Sequence, residues 1–229
     1  MYWLDVAGAP GSGKSTLCDP LWGPHDIDFS GVTEVDPDWL PFVEVCGELL
    51  NEVKDHPTIE AMVRMLRRSL RKISVVKCMY GLNPEDVYIQ TALVQRGLGF
   101  GWRLLDLGKV EKVRKYFEVM PVSLGAVMTS CPTEIVEQRN RDRRLVRETS
   151  HEDRHWMVEK MQPAIKIAVE VLGERNIDVL EISTNQPIEK ARHQLVSYAT
   201  TLARNAEAIR SGRKVEVLQT PSEPGRPTV

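Results

Sequence analysis

The residues of this chain best suited to chemistry lie near its start, where Gly8, Gly11 and Gly13 precede Lys14 and Ser15. Their order, Gly-x-x-x-x-Gly-Lys-Ser, is the signature of a loop that binds phosphate groups. The glycines permit backbone angles that a Cβ would forbid, so successive amide N–H groups can turn toward an anion. The Lys14 ammonium suits the β- and γ-phosphates, and the Ser15 hydroxyl suits Mg²⁺. We therefore predict that this loop binds a nucleoside triphosphate.

Such a loop must be held by a strand before it and a helix after it. The apolar run Tyr2–Ala7 predicts a buried strand, and Lys14–Leu21 predicts a helix whose positive end faces the same anion. The residues that we assign to ATP binding are Gly8, Ala9, Pro10, Gly11, Ser12, Gly13, Lys14, Ser15 and Thr16. Ser15 is also the predicted ligand of Mg²⁺.

Strands and helices alternate along the rest of the chain. Further strands are predicted at Val87–Thr91, Val122–Thr129 and Ile177–Ile182. Helices are predicted at Trp39–Lys54, Pro57–Met79, Trp102–Val119, Thr133–Arg147, Ser150–Leu172 and Pro187–Ile209. This alternation favours an α/β protein with a parallel sheet covered by helices on both faces. The phosphate loop would then lie at the carboxyl end of the first strand, where ligands of open α/β sheets bind.

The overall composition is that of an ordinary globular protein. The 229 residues are 42% hydrophobic and 27% charged, with a formal net charge of −2, which gives no overall attraction to nucleic acid. The cysteines have neither close pairing nor metal-ligand spacing, which favours a reduced, cytoplasmic setting. Neither a signal peptide nor a membrane-spanning segment is expected.

The rest of the sequence favours one class of phosphate-loop protein over two others. A GTPase should carry an Asn-Lys-x-Asp segment that reads guanine, and a motor ATPase usually has an apolar strand ending in Asp-Glu; the sequence contains neither. A small kinase needs a substrate lid and arginines that neutralise charge during transfer. The chain therefore fits a small kinase best.

An arginine-rich segment supplies candidates for that charge neutralisation. Arg139 and Arg143 lie one helical turn apart, so both can face one ligand. Their planar guanidinium groups match phosphate oxygens. We predict that these two residues act in catalysis together with Lys14, with Arg141 and Arg144 as weaker candidates. The alternative is a charged helix that is simply solvated.

Carboxylates that could activate an acceptor hydroxyl follow the first helix. Asp26 and Asp28 are the first candidates for this catalytic role, and Asp36 and Asp38 are the second. A carboxylate beside the phosphate site could accept the hydroxyl proton or hold Mg²⁺ through water. Helix capping and turn formation are the alternative interpretation for each of them.

One predicted helix carries a basic stripe whose members recur at three- and four-residue spacing, namely Arg64, Arg67, Arg68, Arg71 and Lys72. Such a stripe could contact a nucleic-acid backbone, or it could be a solvated basic face.

A separate His-Glu-x-x-His match at His151–His155 has charged flanks unsuited to a buried zinc helix. Ser150 followed by acidic residues favours the start of a helix there instead.

The overall pattern resembles the P-loop kinase superfamily of nucleoside and nucleotide kinases over roughly residues 2–200, and two segments besides the phosphate loop support this resemblance. One is the predicted strand Val122–Thr129 with its Pro132 turn and arginine-rich helix; the other is Val87–Gly97, with Gln-Arg-Gly at its end. Gln90 departs from the superfamily pattern because an acid is expected there. The resemblance implies a three-layer α/β/α sandwich in a kinase domain at 1–210, with a helical substrate insert at about 40–80 and an arginine-rich lid at about 138–150. Residues 211–229 are predicted to be a disordered tail.

Within that superfamily, the chain looks most like bacteriophage kinases, one group of which phosphorylates 5-hydroxymethyluracil in DNA. The resemblance implies an ATP- and Mg²⁺-dependent kinase in the host cytoplasm, with Asp26 or Asp28 orienting the hydroxyl and the basic stripe holding DNA. A kinase acting on free nucleosides or deoxynucleoside monophosphates stays open as an alternative. So does an ATP-gated nucleic-acid-binding module with little turnover, which the neutral Gln90 would suit.

Overall fold

A sheet of parallel strands forms the centre of the part of the chain that the computed structural model describes, namely residues 2–18, 39–55, 63–64, 66–67, 70, 87–121, 124–142 and 151–211. The strands are β1 (Tyr2–Gly8), β2 (Val87–Gln90), β3 (Gly125–Ser130) and β4 (Val179–Ser183), in the order β2-β1-β3-β4. Because β1 lies between two strands and both of its faces are covered by apolar clusters, its sequence is a nearly continuous apolar run. The predicted parallel α/β arrangement is confirmed.

Among the described residues, the helices with defined bounds are α1 (Lys14–Cys18), α2 (Leu40–Glu52), α3 (Leu93–Asp106), α4 (Val110–Val119), α5 (Thr133–Asp142), α6 (His151–Glu174) and α7 (Ile188–Arg210). Two apolar clusters separate them into layers. Leu17 of α1 and Leu195 of α7 pack against Leu4 on one face of the sheet. Phe42 of α2 and Phe100 of α3 belong to a larger cluster on the other face, with residues of α4 and α6. The three-layer sandwich predicted from the sequence is therefore present.

The predicted single helix Trp102–Val119 is wrong, because the chain turns between α3 and α4 at Gly108. This glycine has φ +69°, a left-handed conformation that commonly ends a helix. The amide of Gly108 donates to the Leu105 carbonyl at 2.9 Å, and the amide of Lys109 donates to the Leu104 carbonyl at 2.9 Å. These bonds close the last turn of α3, and α4 begins directly afterwards at Val110.

Several sequence predictions fall wholly or partly outside the described residues. Of the predicted helix Pro57–Met79, the described positions 63, 64, 66, 67 and 70 are helical. Leu66 and Leu70 are buried there, whereas Arg64 and Arg67 are exposed, as an amphipathic helix requires. The predicted lid beyond residue 142 and the tail from residue 212 lie outside the described part. No helix among the described residues is long and apolar enough to cross a bilayer.

The contact between α3 and α4 provides a test of the packing. A Cβ added at Gly97 would lie 2.5 Å from Tyr116 Cε1 and 2.6 Å from Phe117 Cζ, both buried in the larger cluster. We expect Gly97→Ala to lower the free energy of unfolding by about 1–3 kcal/mol, since the helices must move apart. Gly99→Ala is the matched control on the same helix, because a Cβ there meets no atom within 4 Å. This control should gain about 0.5–1 kcal/mol from helix propensity. Equal effects of the two substitutions in urea unfolding would contradict the packing.

Candidate phosphate-binding site

The loop between β1 and α1 has the backbone that a phosphate cradle requires. Gly11 and Gly13 have φ values of +83° and +87°. The Ser12 amide donates to the Ala9 carbonyl at 3.1 Å and closes a turn, and the Leu17 amide donates to the Gly13 carbonyl at 2.9 Å, where α1 begins. The loop therefore leads directly into the positive end of a helix.

Lys14 crosses this loop and binds its first carbonyl groups. Its Nζ donates to the carbonyl oxygens of Gly8 at 2.9 Å and Ala9 at 2.8 Å, and it lies 3.5 Å from the Ser12 hydroxyl. Ser15 and Thr16 follow on the exposed first turn of α1. The ammonium and the Ser15 hydroxyl thus belong to one loop and helix start, where their assigned roles in holding phosphate and Mg²⁺ stay predictions.

Two buried hydroxyl groups anchor the loop to the sheet. Ser12 Oγ lies 2.6 Å from Thr129 Oγ1, and Thr129 in turn donates to the Ala7 carbonyl at 3.1 Å. Because each hydroxyl has one proton, this arrangement makes Ser12 the donor to Thr129. Gly8 pairs with Thr129 in the register of β1 and β3, so the anchor lies where the loop leaves the sheet.

The first turn of α3 contacts the other side of the loop. Gln95 Oε1 accepts a hydrogen bond from the Gly8 amide at 3.0 Å. Gln95 belongs to the Gln-Arg-Gly segment that carries part of the resemblance to the P-loop kinases. The structure places this segment beside the phosphate loop. Gln90 ends β2 as predicted, paired in register with Asp5.

Arg139 of α5 lies against the same loop. Its Nη1 is 3.0 Å from Thr184 Oγ1, and its Nη2 donates to the Thr184 carbonyl at 2.8 Å. Nη1 also lies 3.4 Å from Cys131 Sγ. A Cβ added at Gly13 would be 3.2 Å from Nη1, which places the guanidinium directly beside the loop. The structure thus brings together Lys14 and Arg139, two of the residues predicted to act in catalysis.

A cavity of about 280 Å³ adjoins the loop below α5 and α6. Ala9 and Ser12 form its wall on the side of the loop, and Val136, Ile165 and Val179 line its apolar part. It also receives polar groups from Ser130, Cys131 and Gln162. The cavity therefore extends the site from the phosphate loop toward the β3–β4 side of the sheet.

Three of the five residues predicted to act in catalysis do not lie in the described part. Asp26, Asp28 and Arg143 fall outside it, so their catalytic roles stay predictions. Among the residues that the structure describes, no group of three or more His, Cys, Asp or Glu side chains could hold a metal ion. The His-Glu-x-x-His segment is helical and belongs to the first described turns of α6, whereas Ser150, the residue predicted to start this helix, lies outside the described residues.

Sequence analysis missed a buried carboxylate beneath the loop. Asp5 is 0% exposed on β1, and its two carboxylate oxygens accept the Ala92 and Val94 amides at the start of α3, each at 2.9 Å. Burial raises the pKa of this carboxyl to about 6, against the opposing effect of the two amides and of Arg96. Both oxygens thus hold the start of α3, and Asp5 has no exposed surface with which to contact a ligand. The sequence does carry a signal for this residue, because Asp5 is the one charged residue within the apolar run Tyr2–Ala7.

Thr129 and Thr184 were also missed. Neither stands in a recognisable motif, and each reaches the loop from a strand end far along the chain. No local pattern indicates such contacts, because strand register and topology determine them.

The parallel sheet and the phosphate loop at the end of β1 define an α/β P-loop protein. No protein-family model matches the chain, and no curated protein matches it. Among solved structures, the chain is similar to a deoxyadenosine kinase from M. mycoides with bound dCTP, at 13% sequence identity and a TM-score of 0.47. The match covers 86% of this chain and 97% of that one. The comparison gives no support to a phage kinase that modifies DNA.

The buried Asp5 carboxyl makes stability depend on pH. Its pKa is about 6 in the folded state against 3.8 in an unperturbed chain, so its neutral form favours folding. This contribution to the free energy of unfolding is fully present below about pH 4 and is lost as the pH rises through 6. The total loss is about 3 kcal/mol. Asp5→Asn removes the titration but also loses one acceptor for the α3 amides. We expect the free energy of unfolding of the variant, relative to wild type, to rise by about that amount between pH 4 and pH 7.

Asp178→Asn is the control for this measurement, because Asp178 is exposed. Its difference from wild type should stay nearly constant over the same pH range. A constant difference for Asp5→Asn as well would show that Asp5 is ionised in the folded protein throughout, contrary to its burial.

Proposed function

We propose that this chain is an ATP-dependent phosphotransferase that transfers the γ-phosphoryl group to a hydroxyl of a free nucleoside or nucleoside monophosphate. The observation that carries the proposal is the cradle itself: Lys14 spans the loop, and the Arg139 guanidinium lies beside Gly13. Two cations at one phosphate loop suit the charge that spreads over the transferring phosphoryl oxygens.

Different residues of the chain have different roles in the transfer. The loop amides and Lys14 hold the β- and γ-phosphates, and Arg139 offsets charge on the side of β4. Ser15 is the hydroxyl ligand available to Mg²⁺, which neutralises phosphate charge when bound. Asp26 or Asp28 orients the acceptor hydroxyl and accepts its proton.

The acceptor site adjoins α3. Gln95 contacts the Gly8 amide, so the first turn of this helix borders the place where the γ-phosphate would end. A small acceptor is favoured over DNA because the net charge of −2 gives no overall attraction to a polyanion, so that DNA contact would depend on the predicted basic stripe alone. Of the predicted basic stripe, the described Arg64 and Arg67 are exposed. DNA that contains 5-hydroxymethyluracil is accordingly the second acceptor to test.

Transfer of label from ATP labelled at the γ-phosphate tests this proposal. The acceptors are a panel of free nucleosides and nucleoside monophosphates, and duplex DNA with and without 5-hydroxymethyluracil. We expect label on a member of the panel. Label on the modified duplex alone would replace the small acceptor with DNA. Nucleic-acid binding that depends on ATP, without labelled product, would identify a binding module and not a kinase.

Lys14→Ala identifies the site responsible for the transfer. We expect a loss of about 100-fold or more in kcat/KM, because the Lys14 charge is lost where negative charge moves during the reaction. Lys115→Ala is the matched control. This lysine of α4 is exposed, and its ammonium lies 3.8 Å from the carboxylate of Glu118 on the same helix. The control should keep wild-type activity. Activity that survives Lys14→Ala would show that the label comes from another site.

A further inference from the structure

Thr184 follows β4 and makes an unusual set of contacts for a loop residue. It is 6% exposed, and its amide donates to the Ser130 carbonyl at 2.8 Å, which continues the pairing of β3 with β4. Its hydroxyl lies 2.7 Å from the Ser12 carbonyl oxygen and 3.3 Å from that of Ser130. The shorter distance makes the Ser12 carbonyl the acceptor.

The same hydroxyl accepts a hydrogen bond from Arg139 Nη1 at 3.0 Å. A guanidinium that donates to a hydroxyl oxygen polarises the O–H group and strengthens the bond that this group donates in turn. Arg139, Thr184 and the Ser12 carbonyl therefore form one chain of hydrogen bonds that ends on the backbone of the phosphate loop.

The Ser12 carbonyl belongs to the same peptide unit as the Gly13 amide. A trans peptide is planar and its C=O and N–H groups point in opposite directions, so a carbonyl held toward Thr184 directs the Gly13 N–H away from it. Glycine adopts positive and negative φ with similar ease, and Gly13 stands at φ +87°. Local backbone preference therefore does not decide which way this peptide faces.

We propose that Thr184 is a positioning residue for phosphate binding, which holds the Ser12–Gly13 peptide so that the Gly13 N–H faces the bound phosphates. This proposal rests on the proposed function only in that the loop must bind a triphosphate. Thr184 acts through the backbone and does not touch the reacting atoms. Ser12 itself is held separately through its side chain by Thr129, so Thr184 controls the peptide and not the position of the residue.

Thr184→Val tests the proposal, because valine keeps the shape of the side chain and removes its hydroxyl. Thr184→Ser is the matched control that restores the hydroxyl. Titration calorimetry with Mg·ATP and with Mg·tripolyphosphate measures the affinity of the loop for phosphate. We expect Thr184→Val to raise both Kd values about tenfold, which corresponds to the loss of one hydrogen bond between neutral groups. Thr184→Ser should stay within about twofold of wild type.

The outcomes separate this proposal from the proposed function. Wild-type Kd values for Thr184→Val, or equal losses for valine and serine, would overturn the role of the hydroxyl, even if the unfolding temperature falls. If the valine variant does not fold, Thr184→Cys takes its place; the weak thiol donor should raise both Kd values, and unchanged values overturn the proposal. A wild-type protein that binds ATP but transfers no label refutes the kinase and leaves the positioning role intact. A wild-type protein that binds neither ligand refutes both.

Discussion

The direction of the peptide groups in the loop 8–14 is the constraint on which the rest of the site depends. A loop that turns its amides toward an anion must turn its carbonyl oxygens outward, because the two groups of one peptide oppose each other. Those oxygens then need hydrogen-bond donors other than the amides of the loop. Lys14 supplies them for Gly8 and Ala9, and Thr184 supplies one for Ser12. The conformation of the loop thus depends on hydrogen bonds from within the loop and from a distant part of the chain.

The sheet brings these donors to the loop. Gly8 pairs with Thr129, and Ser130 pairs with Ser183, so the ends of β1, β3 and β4 lie side by side. The hydroxyl groups of Thr129 and Thr184 reach the loop because they follow that edge. On the other side of β1, Asp5 accepts amides at the start of α3, which holds this helix where Gln95 can accept the Gly8 amide. The burial of Asp5 therefore serves the geometry of the site.

The class of fold and the position of the phosphate loop could be predicted from the sequence. Both depend on local signals: apolar runs of strand length, helical periodicity and the glycine spacing before Lys14. The helix predicted over Trp102–Val119 failed because periodicity continues across Gly108, and the left-handed turn there depends on a backbone angle that periodicity does not report. Arg139 was predicted from residue type and spacing, whereas its bonds with Thr184 were not.

The sequence by itself determined the chemistry available at the loop, since consecutive residues specify its turns, its lysine and its helix start. Only the tertiary structure decided which groups hold it. Gly8 and Gln95 are 87 residues apart, Ser12 and Thr129 are 117 apart, and Ser12 and Thr184 are 172 apart. Contacts over such separations follow from strand order and register, which are properties of the assembled sheet and not of any segment of the chain.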